Sequence, residues 1–361
     1  MNRVPVGPLV LTGPWTTGDR MAYIDSRNME PGKILGSTPT APLGAPTGDR
    51  AALATQNLSV TSELLVIARA LDAAGVDFIV LKGVPLAYRV FGRLHARRIR
   101  DNDILVHPRD VAAALRALRG CGYELATPGL HPDKELRRTN QHAMVRRAPT
   151  GRLASAEIHW RAFHPWFFDV PEAIEWRHQR PFALHGVTVR VFDEPLTLLH
   201  LAAHFAQHAF SEAWILRDVA AAWNAWHRDI DTDELWSLAR DTGTVHVLEF
   251  ALRAAEDVHL LVAPSPRRSS RRAELLRRVL PTRRLFQARP HPDHRRNLLV
   301  FLLTGLRRAP RYLTYGMFPT IESMSARYGR PVSGWLYLRY ATRPFRALRR
   351  AVRARPPRAR G

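Results

Sequence analysis

A chain of 361 residues is long enough for roughly two domains of about 100–200 residues each. Its 54 basic and 32 acidic side chains leave a net charge of +22, and all but three of the basic residues (Lys33, Lys82 and Lys134) are arginine. Such an excess favours anionic partners: nucleotides, nucleic acid or an acidic membrane surface. The single cysteine, Cys121, excludes an internal disulfide and a Cys-based zinc site. The N-terminus lacks the basic start and apolar run of a signal peptide. The longest apolar run, Leu298 to Leu303, is too short to span a bilayer. A cytoplasmic protein is expected, at most peripheral to a membrane.

Residues 1 to about 50 are rich in Pro, Gly and Thr, as in "GSTPTAPLGAPTGD", and are expected to be disordered, with Met21 and Met29 as alternative starts. Order is predicted from near Thr61, where "TSELLVIARALDAAG" has helical apolar spacing, Ser62 as cap and Gly75 as stop. "VDFIVLKG" reads as a buried strand, "VPLAYRVF" as a short helix with Pro85 near its start, and "NDILV" as a second strand after a basic loop. "PRDVAAALRALRGCGY" is an amphipathic helix. "QHAMVRR" and "LASAEIHW" form two more strands around Pro149 and Gly151. This mixed α/β unit is assigned to 51–192. From Asp193 the pattern turns helical: "DEPLTLLHLAAHFAQHAF" opens with an acidic cap and Pro195, and a helical region fills 193–264. The remainder, 265–361, holds only Glu274, Asp293 and Glu322 as acids and ends as a basic amphipathic helix with a frayed tail. The class is α+β, with an all-helical C-terminal region.

The chemistry centres on three acids. Alternate residues of a strand share a face, so Asp101 and Asp103 point the same way, with Cα atoms about 6.6–6.8 Å apart. Two like charges at that spacing raise each other's pKa unless a cation lies between them. Magnesium prefers one or two carboxylates plus substrate phosphates. Glu157, in the apolar strand "SAEIHW" with His159 on the same face, is costly if buried alone; an adjacent strand would bring it beside the pair. Lys82-Gly83 follows a strand and opens a helix, where free N–H groups favour a phosphate. Its flanks lack the glycine pattern of a Walker loop.

"LKG", a basic loop, "RIRDNDILV", then a helix and "GY" resemble the uncharacterised nucleotidyltransferase family of the polymerase-beta-like superfamily. So does "LLHLAAHFAQHAFSEAWILRDVAAAW", with its spaced histidines and following Asp; the similarity covers about 60 to 230. The resemblance implies a minimal nucleotidyltransferase fold. It implies that Gly83 is the glycine turn, that Asp101 and Asp103 are metal-binding acids, and that Glu157 is the third. Two departures stand out: Lys82 precedes the glycine with no serine after it, and Asn102 replaces the usual apolar residue between the aspartates.

The expected activity is transfer of a nucleoside monophosphate from a nucleoside triphosphate to an unknown acceptor, with Mg2+ or Mn2+ as cofactor. Asp101, Asp103 and Glu157 would be catalytic and metal-binding; Lys82, Gly83 and the loop residues Arg97, Arg98 and Arg100 would hold the triphosphate. His200, His204 and His208 fall at i, i+4 and i+8 on one helical face. His204 and His208 are expected in the active-site cleft beside His159, with Asp218 orienting one of them. The competing function is a non-catalytic basic adaptor at nucleic acid or membrane. Converging acids favour the enzyme, and a buried or separated Glu157 favours the adaptor. No nucleic-acid motif is present; Trp335, Tyr337 and Phe345 beside arginines would suit a contact with acidic lipid or a partner.

Overall fold

The computed structural model describes residues 47–126, 139–148, 151–266, 270–286, 294–317 and 333–342, together with Met324 and Phe345. The disorder expected for 1–50 therefore lies almost wholly outside the described residues, as does the frayed tail beyond 345.

Among the described residues, seven strands form one mixed sheet in the order β3-β4-β5-β2-β1-β7-β6. They are β1 (Phe78–Val80), β2 (Asn102–Val106), β3 (Glu124–Leu125), β4 (Gln141–Arg147), β5 (Leu153–His159), β6 (Gln179–Leu184) and β7 (Val187–Phe192). β2 lies between β1, antiparallel, and β5, parallel. β1 and β2 are fully buried and, apart from Asn102 and Asp103, apolar, which is why "FIV" and "NDILV" read so clearly. The sequence missed β6 and β7. Their turn, His185-Gly186, has φ of 47° and 78°, the left-handed pair a two-residue hairpin needs, but His in place of Asn or Asp conceals it. Pro181 in β6 is tolerated because that strand is an edge.

One face of the sheet carries α1 (Thr47–Ala73) and α3 (Val111–Gly120), which close Leu64, Ile67, Leu71, Leu115 and Leu118 over Val80, Ile104 and Ile158. The other face carries Ile79, Leu105 and Phe192, which cluster with Phe163 beneath α5 (Glu194–Gln207), α6 (Ala213–Trp226), α7 (Thr232–Asp241) and α8 (Val245–Asp257). The short helices α2 (Val84–Phe91) and α4 (Glu172–Arg177) connect these layers. Further helices follow at α9 (Arg271–Val279), α10 (Thr282–Leu285), α11 (His294–Thr304), α12 (Ala309–Met317) and α13 (Gly334–Ala341). The α5 cap is as expected: the Asp193 carboxylate accepts from Leu196 N at 3.0 Å, with Pro195 in the first turn. On α13, Tyr337 and Leu338 are exposed, and the Arg339 guanidinium stacks over Trp335.

The start of α1 corrects the sequence reading. The helix begins fourteen residues before Thr61, and Ser62 lies exposed in its middle rather than at a cap. By length and composition 51–73 is apolar enough to cross a membrane, yet Leu64, Ile67, Ala68 and Leu71 are buried against the sheet. Tertiary bonds account for the early turns. Asn57, fully buried, donates to the carbonyls of Leu94 and Arg97, each at 2.7 Å, and its Oδ1 accepts from Ile99 N at 3.1 Å. Gln56 donates to the Ile99 carbonyl at 2.9 Å. The helix thus clamps the basic loop ahead of β2, a partner no local pattern reveals.

Asn57→Ala orphans three backbone groups of that loop. At about 1 kcal/mol per lost hydrogen bond it is expected to cost about 2–3 kcal/mol. The urea midpoint should fall with an unchanged m-value; a midpoint within error of wild type would remove the clamp.

Candidate active site

Strand alternation decides which side chains meet. Ile104 faces α1 and α3, so Asp103 and Leu105 face the helical layer. The β2–β5 register sets Asp103 beside Glu157 and Leu105 beside His159. From β1, the Leu81 amide donates to the Asp103 carbonyl at 3.0 Å. That bond seats Lys82, the next residue, at the acids.

The polar contacts divide the Asp103 carboxylate. Oδ2 lies 2.8 Å from Lys82 Nζ, and the same ammonium is 3.9 Å from Asp101 Oδ1. Oδ1 lies 3.2 Å from His159 Nε2, which is 3.7 Å from Glu157 Oε2. Asp103, Glu157 and His159 each offer a ligand atom, all within 4.8 Å of one another. The structure thus brings together Lys82, Asp101, Asp103, Glu157 and His159.

Burial and charge set the titration of the group. Burial disfavours the Lys82 ammonium, but Asp103, Asp101 and Glu157 together outweigh it and raise its pKa above the ordinary lysine value. Burial likewise opposes the Asp103 carboxylate, and Lys82 and His159 more than offset it, holding the pKa well below the usual range. His159 is raised to about 9: burial works against its charge, and hydrogen bonds to Asp103 and Glu157 prevail. The Asn140 amide lies 3.4 Å from its Nδ1 and donates to the Arg161 carbonyl at 3.1 Å.

The flanking turn has the geometry expected of a glycine. Gly83 has φ 76° and ψ −124°, a left-handed conformation open to glycine. An added Cβ would stay 3.6 Å from the Asp101 carbonyl, so backbone conformation rather than space requires glycine there. Arg97 reaches back to the Gly83 carbonyl at 3.3 Å and forward to Asp218 Oδ2 on α6 at 2.7 Å.

Two expected placements change, those of Asp218 and Arg100. Asp218 pairs with Arg97 rather than orienting a histidine: it is 3% exposed, and a buried carboxylate needs a full countercharge that a neutral imidazole lacks. Burial still raises the Asp218 pKa against the pull of Arg97. Arg100 shares a face with Asn102, away from Asp101 and Asp103. It lines a groove on the α1 side with Gln56, Ser59, Asn102, Arg152 and Ser155. Arg98 is exposed on the basic loop.

The histidines of α5 line the helical side. His200 is buried between Phe163 and Phe192 at ring distances of 5.6 and 5.9 Å, and burial with the Lys82 and His159 charges lowers its pKa to about 3. His204 is lowered well below the ordinary value by burial and by Lys82, His208 and His200. His200 Nδ1 and His204 Nε2 are buried without a hydrogen-bond partner among the described residues. The His204 and His208 rings meet at 4.7 Å, with Trp214 against both. The sequence reading missed Asn140 and Glu175. Glu175 on α4 is 1% exposed and accepts from Ala162 N at 2.9 Å, holding the segment that leaves β5 after His159. A lone Asn before a strand and a lone Glu in a six-residue helix carry no sequence signal of that kind.

Residues 29–259 match the family model described as uncharacterised nucleotidyltransferase. The chain belongs to this family. Membership makes the protein a nucleotidyltransferase and implies a nucleoside triphosphate as substrate. No curated protein matches the chain. Solved structures to which the chain is similar include two nucleotidyltransferase-fold proteins. The solution structure of the antibiotic-resistance factor ANT(2'')-Ia shares 13% identity, with 55% of this chain and 96% of that one covered and a TM-score of 0.34. The crystal structure of an antigenic nucleotidyltransferase-like protein from Paracoccidioides brasiliensis shares 14% identity, with 56% and 94% covered and a TM-score of 0.33.

Burial raises the Glu175 pKa from 4.5 to about 8. The folded state then holds a proton that the unfolded state releases between those values. The stability this contributes is complete below about pH 4.5 and is lost as pH rises through about 8. Glu175→Gln should flatten the fall in melting temperature between pH 5 and 9 and be the more stable protein at pH 9. Parallel wild-type and variant profiles would show that Glu175 does not titrate in this way.

Proposed function

We propose that the protein is a divalent-metal-dependent nucleotidyltransferase that moves a nucleoside monophosphate to a hydroxyl or phosphate oxygen of a small-molecule, saccharide or peptide acceptor. The observation that carries this reading is the convergence of Asp103, Glu157 and His159 from adjacent parallel strands, with donor atoms within 4.8 Å. Two carboxylate oxygens suit Mg2+ or Mn2+, and the imidazole tilts the set towards Mn2+. Asp103, Glu157 and His159 would hold the ion, which supplies charge neutralisation at the phosphates when bound. His159 would give up its proton to ligate.

In the reaction the acceptor oxygen bonds to the α-phosphorus as the bond to the bridging oxygen breaks, and pyrophosphate leaves with that electron pair. The acceptor proton passes to a base of the site. Glu157 is the carboxylate suited either to take that proton or to complete the ion's ligand set. The free amides around Gly83 at the start of α2 suit a phosphate oxygen, and the unpartnered ring nitrogens of His200 and His204 suit an acceptor's polar groups.

Glu157 is buried, at 8% exposure, which taken alone suits the adaptor alternative. It is not buried alone, however: His159 lies 3.7 Å away and Asp103 is its register neighbour.

Labelled triphosphates screened with Mg2+ or Mn2+ should yield a labelled product and pyrophosphate. Asp103→Ala is expected to abolish turnover; activity above roughly a tenth of wild type, a loss of under about 1.4 kcal/mol in the barrier, would reject the metal role. Glu157→Gln keeps shape and loses charge. It should lower kcat by about 100-fold or more, in the range of one lost acid–base or charge-stabilising group. Its equilibrium affinity for a non-hydrolysable triphosphate should change little by comparison. An equal loss in both would make Glu157 a binding residue instead.

A further inference from the structure

A pair of divalent ions about 3.5–4 Å apart is a general device for clamping an in-line displacement at phosphorus. Here one of the two places beside Asp103 already holds a cation. Asp103 Oδ2 faces Lys82 Nζ at 2.8 Å, and that ammonium also lies 3.9 Å from Asp101. The other oxygen, Oδ1, faces His159 at 3.2 Å and so belongs to the group with Glu157. One carboxylate therefore joins two half-sites, one filled by a side chain and one composed of ligands.

Lys82 is not a long side chain that happens to fold over. Leu81 N bonds the Asp103 carbonyl at 3.0 Å, so the sheet sets the lysine backbone beside the aspartate, and Gly83 turns the chain away directly afterwards. The Lys82 side chain is 10% exposed and that of Asp103 is 1%.

We propose that the Lys82 ammonium is a built-in cation standing in for one of two divalent ions, so that the enzyme takes a single exchangeable ion at Asp103, Glu157 and His159. This rests on the metal-dependent reading above. Charge balance agrees. Three carboxylates, one ammonium and one divalent ion sum to zero charge. A second divalent ion would leave two uncompensated positive charges in a buried site before the triphosphate arrives, an arrangement that desolvation penalises. Asp101, on this account, is a positioning residue that holds Lys82 rather than a ligand of the exchangeable ion.

The test is titration of the full-length protein with Mn2+ alone, without nucleotide, reading free Mn2+ by electron paramagnetic resonance. Wild type should bind one ion per chain, and Glu157→Gln should weaken it at least about tenfold, or about 1.4 kcal/mol. Lys82→Met should bind two ions, and Lys82→Met with Asp101→Asn should return to one. Lys82→Arg, which keeps the charge, should stay at one. If Lys82→Met does not fold, Asp101→Asn alone decides: its Mn2+ affinity should remain within about twofold of wild type, and a tenfold loss would make Asp101 a ligand and overturn the assignment. Two ions on wild type overturn it directly. So does a folded Lys82→Met that still binds one ion at unchanged affinity while its KM for the triphosphate rises; Lys82 is then a triphosphate ligand only. No ion on wild type withdraws the metal-dependent reading itself, an outcome distinct from the others.

Discussion

Asp103 carries a negative charge at 1% side-chain exposure in the middle of an apolar sheet, and much of the surrounding structure compensates for it. A lone carboxylate there would be several kcal/mol unfavourable, on the order of the effective desolvation penalty for a buried ion. Lys82 from the end of β1 and His159 from the end of β5 supply the countercharge, one to each oxygen. Both arrive by strand pairing: β1 runs antiparallel and β5 parallel to β2. Mixed strand directions thus bring a lysine and an imidazole to the same carboxylate from opposite sides. The same pairing brings Glu157, whose charge is met by His159.

A second ion pair joins the layers around this centre. Arg97 binds the Gly83 carbonyl and Asp218, tying the Lys-Gly turn and the basic loop to α6. Asn57 holds the same loop from the opposite face. The loop between α2 and β2 is therefore fixed from both layers, and with it the approach to Asp101. The positive charge of this segment is thus divided by role. Arg97 is tied into the fold, Arg98 is exposed on the loop, and Arg100 lines the groove on the α1 side.

The helical layer does more than cover the sheet. It continues the core of the sheet face through Ile79, Leu105, Phe163 and Phe192, and it sets neutral imidazoles against the charged cluster. His200 and His204 stay uncharged because burial and the nearby Lys82 both oppose a proton. In the proposed reaction, neutral ring nitrogens there would offer an acceptor hydrogen bonds without adding charge.

Local elements with strong, short-range signals were legible in the amino-acid order alone. β2, β4 and α2 fall where periodicity and turn residues put them, and α5 begins at the Asp193-Glu194-Pro195 cap. The spacing of Asp101 and Asp103 predicted a shared face; β2 itself begins at Asn102, and what joins the two acids is the Lys82 ammonium, 2.8 Å from Asp103 and 3.9 Å from Asp101. Glu157 could be nominated on the cost of an acid in an apolar strand. Which charges meet depended on the fold. Strand order and register put Glu157 beside Asp103, Lys82 on the acids rather than beyond them, and Arg97 instead of a histidine on Asp218. The early turns of α1 and the hairpin of β6 and β7 were likewise hidden. The first depends on Asn57 reaching a loop about 40 residues away, and the second on a left-handed His185 in place of the usual Asn-Gly. Propensity is written in neighbouring residues; compensation of a buried charge is written in whichever segment the fold carries to it.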